Sequence, residues 1–134
     1  EPVAPEWTQV AAFGPAIELV GYDLGGTTAS PGSHVDVRLH WHAADTPQAN
    51  YQSFVHLLNA EDEILAQHDG TPGEGQLPTL ATREYVVDTH SLYVPAGLPP
   101  GEYRLAVGLY DPVSELRPGE RVVLDTPLRV SDSP

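Results

Sequence analysis

Apolar and polar residues alternate along much of this chain. Val35, Val37, Leu39 and Trp41 fall on one side of a run, with Asp36, Arg38, His40 and His42 on the other. A period of two sustained this long marks a strand with one buried face. Tyr103, Leu105, Val107 and Leu109 repeat the pattern against Arg104, Ala106, Gly108 and Tyr110. Pro99-Pro100-Gly101 opens that run and Asp111-Pro112 closes it, both good turn chemistry. Further strands are predicted over Ile17–Leu24, Gln52–Asn59, Ile64–Asp69, Tyr85–Val94 and Val122–Val130, with Trp7–Phe13 as a short addition. Glu61-Asp62-Glu63 reads as a hairpin turn despite lacking glycine. Pro127 places the last run at a sheet edge or breaks it there. No segment carries a helical period. The best opening for one, Gln48–Leu58, is interrupted by aromatic and β-branched residues that favour a strand.

Short strands at intervals of about ten residues predict an all-β fold, an antiparallel β-sandwich of immunoglobulin- or fibronectin-like type, with a jelly roll as the alternative. Residues 16–130 form the single sandwich domain in this reading, 1–15 a linker or short edge strand, and 131–134 a tail. Glu1–Glu6 and Ser131–Pro134 look like linkers, and Gly70–Thr82 is the longest irregular stretch, of a length often functional or mobile.

Composition narrows the function classes. The 134 residues carry 6 arginines, no lysine and 19 carboxylates, for a net charge of −13. That balance argues against a nucleic-acid backbone or an anionic membrane surface as partner. Without cysteine there is no disulfide, no thiolate metal site and no cysteine nucleophile. No stretch approaches the roughly 18 apolar residues of a membrane span. Methionine is absent, and Glu1-Pro2-Val3 reads as the start of an excised or processed domain.

Candidate chemistry is sparse. His40 and His42 project from one strand face, as in a cupin-type metal site, but no glutamate and third histidine follow at matching spacing. A solvated sheet face is the expected role, with no metal and no cofactor. His56 sits among Phe54, Val55, Leu57 and Leu58, and the expected hairpin brings Gln67 and Asp69 alongside it. These three form a candidate polar cluster and, with Tyr110, the candidate ligand-binding residues. A Ser53-His56-Asp69 triad has no nucleophile elbow behind it, so no catalytic residue is assigned. Asp23, Asp111 and Asp125 close turns without calcium-loop spacing. Gly70–Gly75 lacks the lysine of a phosphate loop. Trp7, Tyr51, Tyr93 and Tyr110 are candidate sugar-stacking aromatics, whereas Trp41 faces the core by periodicity.

Six segments occur in a recognisable order: Ile17–Tyr22, Leu39-His40-Trp41-His42-Ala43, Phe54-Val55-His56-Leu57-Leu58, Ala66–Pro72, Leu98–Leu105 and Val107–Pro112. Together they resemble the C-terminal soluble domain of bacterial membrane glycosyltransferases of the protein O-mannosyltransferase-like type, as in Chloroflexus-like bacteria. The resemblance covers about Ile17 to Arg129. It implies a non-catalytic β-sandwich on the extracytoplasmic side of the cell membrane, joined to an upstream membrane domain of the same polypeptide that carries the catalytic carboxylates. Its implied work is scaffolding or positioning of glycan or acceptor protein. The family's tryptophan and glycine after a loop Pro-Thr are replaced here by Leu80-Ala81 after Pro78-Thr79, so no site residue carries over from that loop. Two other readings stand beside it, a freestanding carbohydrate-binding module and a small cupin-like metalloprotein built on His40 and His42.

Overall fold

In β4 (His34–Ala43) Val35, Val37, Leu39, Trp41 and Ala43 are buried while His34, Asp36 and Arg38 are exposed, so alternation along the sequence becomes an inner and an outer face. The computed structural model describes residues 4–13, 17–43, 52–69, 85–110 and 120–131. The other strands among them are β1 (Trp7–Phe13), β2 (Ile17–Leu24), β3 (Thr28–Ala29), β5 (Gln52–Leu58), β6 (Ile64–Asp69), β7 (Tyr85–Tyr93), β8 (Gly101–Tyr110), β9 (Val122–Val123) and β10 (Leu128–Val130). One sheet runs β1-β2-β4-β7 and is antiparallel throughout. The other runs β3-β10-β8-β5-β6, with β9 also paired to β8.

The inner faces bury one apolar layer. Phe13, Ile17, Leu19, Leu39 and Trp41 of the first sheet meet Val55, Leu57, Leu105, Val107 and Leu109 of the second. Phe13 packs edge-on against Trp41, ring centroids 5.4 Å apart. Each fully buried Leu or Val contributes about 1.5–3 kcal/mol, so this layer is the main stabilising term.

Each long side of the sandwich is closed by polar contacts. On one, the Gln9 carboxamide of β1 donates to the Val123 carbonyl at 3.0 Å and accepts from the Asp125 amide at 2.8 Å. It stands in for a ladder rung where the chain leaves β9. Nearby, the Tyr22 hydroxyl donates to Thr126 Oγ1 at 2.7 Å and accepts the Thr126 amide. On the other side, β6 meets β7 through His68 and His90.

The structure departs from the sequence reading in three places. The sandwich is not purely antiparallel, because β3 pairs in parallel with β10 through Arg129↔Thr28 and Val130↔Ala29. The run Val122–Val130 is broken at Pro127, and β9 and β10 occupy successive stretches of one β8 edge. The piece after the proline is interior rather than an edge, since β3 covers it. Finally, Pro5 and Glu6 are not free linker. The Glu6 amide donates to Asp23 at 2.6 Å, Glu6 Oε1 accepts the Leu24 amide, and Pro5 packs on Gly21, where a Cβ would collide with it.

The Glu61-Asp62-Glu63 hairpin turn is where the sequence places it. Asp62 supplies the missing glycine's conformation at φ 64°, which Asp tolerates better than most residues. Asn59 Oδ1 accepts both the Glu61 and Glu63 amides at 2.9 Å, and Arg104 grips the Asn59 carbonyl and the Asp62 carboxylate.

Candidate functional site

The inward positions of β7 are Val86, Asp88, His90 and Leu92, so two ionisable side chains enter the core in apolar phase. Ser53 enters from β5. All three are 3% exposed or less. Asp88 Oδ2 accepts from the Ser53 hydroxyl, from His90 Nε2 at 3.1 Å and from Trp41 Nε1 at 3.4 Å. His90 Nε2 also lies 2.8 Å from Ser53 Oγ, and its Nδ1 lies 2.8 Å from Nδ1 of His68 on β6. Burial alone would raise the Asp88 carboxyl above its ordinary value. The His90 hydrogen bond and charge, with the Ser53 and Trp41 hydrogen bonds, outweigh burial and hold it below. Asp88 is therefore an anion, and His90 Nε2 is the ring nitrogen that donates to it.

This trio has the composition of a nucleophilic triad and the wrong wiring for one. A relay needs the serine on one imidazole nitrogen and the carboxylate on the other. Here both crowd Nε2, and Ser53 donates its proton straight to Asp88. The group knits β4, β5, β6 and β7 together.

The residues singled out from sequence fall elsewhere. Ser53 and His56 are three apart on β5 and face opposite ways, so the Ser53-His56-Asp69 set cannot assemble. His56, Gln67 and Tyr110 do share the outer face of the second sheet. Gln67 is exposed directly opposite His56, Asp69 occupies the register position opposite Phe54, and Tyr110 lies opposite Gln52 and donates to its Oε1 at 3.0 Å. His56 is buried, stacked on Phe54 at 4.4 Å between centroids, and accepts from Arg121 at Nδ1, 3.2 Å away. An arginine can only donate, so the His56 proton sits on Nε2. Phe54 in turn packs on Gly108, where an added Cβ would come within 2.9 Å of its Cε2.

His40 and His42 share the outer face of the first sheet but serve different carboxylates. His40 Nε2 meets Asp23 and His42 Nδ1 meets Glu18, each at 2.9 Å. The expected solvated face is only half right, because His40 is 4% exposed beside the Pro5–Gly21 contact. Asp23 is held below the ordinary carboxyl range: burial raises it, and the His40 and Glu6 hydrogen bonds with the His40 and Arg38 charges outweigh that. Among the described residues no three His, Asp or Glu side chains converge as a metal-ligand set. Asp125 is exposed in the β9–β10 break; Asp111, Tyr51 and Gly70–Thr82 lie outside the described residues.

The exposed chemistry collects along β7. Tyr85, Val87, Thr89, Ser91 and Tyr93 form its outer row, with Tyr85 50% and Tyr93 45% exposed. His42 stacks on Tyr85 at 4.4 Å, and His34 tilts against Tyr93 at 5.3 Å. Asp36 and Arg38 stand beside Ser91 and Thr89 on β4. At the Tyr93 end an open groove of about 500 Å³ adjoins His34, lined also by Gly25, Ser33 and Asp36. Of the described aromatics chosen from sequence, Tyr93 belongs here; Trp7 is half-buried on Tyr22. Tyr85 was legible from parity, since the residues in phase with Tyr93 make one outward row.

No family model matches the chain, and no curated protein does either. A solved structure, that of a Niemann-Pick type C2 protein from the Japanese carpenter ant, superposes with a TM-score of 0.61. It covers 92% of this chain and 98% of that one at 8% identity. The likeness is one of fold alone. It places this chain among the β-sandwiches.

Proposed function

We propose that the chain is a non-catalytic accessory domain of a bacterial membrane glycosyltransferase, an immunoglobulin- or fibronectin-like sandwich on the extracytoplasmic side. In this reading it positions glycan for the upstream membrane portion of the same polypeptide. The ordered motifs described above support the parentage. The observation that carries the binding role is the exposed Tyr85–Tyr93 row on β7 with its flanking imidazoles.

A pyranose presents a face of C–H groups ringed by hydroxyls. Exposed tyrosine rings suit the first, and Thr89, Ser91, Arg38 and Asp36 between them suit the second. Tyr85 and Tyr93 are about 26 Å apart at ~3.3 Å per residue, a span that fits an extended oligosaccharide rather than a single sugar. The non-catalytic assignment is supported by the sealed, cross-wired Ser53-Asp88-His90 group, which no substrate can reach.

Titration of the labelled domain with a panel of neutral oligosaccharides, followed by NMR, tests this. Expected are weak affinities with shifts confined to β4 and β7, and at least tenfold loss in Tyr85→Ala and Tyr93→Ala. Silence across the panel would refute the glycan role. An upstream reading frame holding a secretion signal and no spans would instead favour the freestanding carbohydrate-binding module, which the same aromatic row supports.

A further inference from the structure

The open groove at the Tyr93 end of β7 is framed by turns that the backbone holds in place. Just past β2, the Gly25 amide donates to the Asp36 carbonyl at 2.8 Å. In the turn between β3 and β4, the Ser33 amide and hydroxyl both donate to the Ser30 carbonyl, at 3.1 and 2.6 Å. Gly32 and Ser33 tie that turn to Val94, next after β7. The volume of about 500 Å³ falls within the roughly 300–1,000 Å³ of small-ligand sites.

The lining holds hydrogen-bonding capacity that the fold leaves unused. Among the described residues nothing pairs with the Asp36 carboxylate, and His34 makes only its ring contact with Tyr93. Two glycines leave room beside them. A Cβ on Gly25 would stand 3.4 Å from that of Asp36, and one on Gly26 would meet the Thr28 carbonyl at 3.6 Å. Charge narrows the occupant. The described lining has one carboxylate and no arginine, and the chain has no lysine. Phosphate, sulfate and uronate groups therefore find no counter-charge, and one carboxylate is too small a ligand set for a divalent cation. A neutral, hydroxyl-rich molecule fits: a carboxylate accepts from two neighbouring hydroxyls at once, while serine and imidazole both donate and accept.

We propose that the groove is a subsite for one neutral pyranose, with Asp36 gripping a vicinal pair of its hydroxyls. The sugar class rests on the glycan reading of the Tyr85–Tyr93 row. The subsite adds to that row an end unit held by hydrogen bonds rather than by stacking, and so gives the bound chain a direction.

NMR of the isotope-labelled domain tests the two separately. The probes are the methyl glycosides of mannose, glucose and galactose, too short to span the row, and linear hexasaccharides of mannose and glucose, which span it. At least one glycoside should move the Gly25, Gly26, Ser33 and His34 amides and leave Tyr85 still; a hexasaccharide should move both regions. Asp36→Ala, at an exposed position, should weaken glycoside binding about tenfold through loss of bonds to a charged acceptor, and Asp36→Asn, which keeps one acceptor oxygen, should weaken it less. Hexasaccharide shifts at Tyr85 and Tyr93 without groove shifts would overturn the subsite and leave the glycan row standing. Equal glycoside binding in wild type and Asp36→Ala would also overturn it, as would glucuronate bound as tightly as the glucoside. Groove shifts with a silent row would uphold the subsite and remove the row. Silence with both probes would overturn both.

Discussion

Replacing Asp88 with alanine asks whether the buried polar group holds the sheets together or merely fills space. Asp88 Oδ2 receives three donors, from Ser53, His90 and Trp41, all of them buried. Each buried donor left unpaired costs about 1–3 kcal/mol. Ser53 and His90 retain their own 2.8 Å contact, so they remain partly satisfied, and the 3.4 Å Trp41 bond is the weakest. Adding a small cavity, the net loss should be about 3–4 kcal/mol, a large share of the 5–15 kcal/mol typical of a domain. Asp88→Asn, which keeps the volume and one acceptor oxygen, should cost about half as much. Equilibrium urea unfolding followed through Trp41 fluorescence measures both. A loss under about 1 kcal/mol for the alanine variant would refute the reasoning.

The same carboxylate fixes an acid limb. Its folded-state affinity for protons is depressed, so its contribution is full above the unfolded value near pH ~3.9 and is lost as pH falls through the lower folded value. The gap between wild type and Asp88→Ala should therefore narrow only below about pH 4.

Gly108→Ala should destabilise by about 1–3 kcal/mol, since the new methyl meets the Phe54 ring head-on; a melting curve reads it, and Phe54→Leu in the same chain should restore part of the loss. Gln9→Ala removes its bonds to the Val123 carbonyl of β9 and to the Asp125 amide beyond it and should cost about 1–2 kcal/mol, with faster hydrogen exchange at Asp125. Tyr85→Ala should leave stability within about 0.5 kcal/mol, because half its surface is already in water, so any lost glycan binding reports on contact rather than on fold.

Strand positions were legible because parity survives folding: the buried sides of Val35–Trp41 and Tyr103–Leu109 are those that alternation names. The Pro127 break was legible because proline cannot donate to a ladder. β3 was not, since two residues paired in parallel across a hundred positions leave no period. His40 is buried in register with Gly21, onto which Pro5 folds back, a contact no local pattern encodes. The Asp88 and His90 core group left a readable signal, two polar residues in phase with Val86 and Leu92. His56 drew attention instead through its apolar neighbours, which face both sides of the strand and so say little about its own surroundings.

The candidate ligand face and the buried polar group share β7, and its alternation keeps them apart. Odd-numbered Tyr85 and Tyr93 look outward to the candidate ligand face, while even-numbered Asp88 and His90 look inward to the core group. A side chain removed from one row leaves the other row's partners in place. Asp88→Asn should therefore leave oligosaccharide binding unchanged wherever the variant is folded, and Tyr93→Ala should leave the stability cost of Asp88→Ala unchanged. Oligosaccharide binding lost in folded Asp88→Asn would show that the two rows are coupled through the strand and would refute their independence.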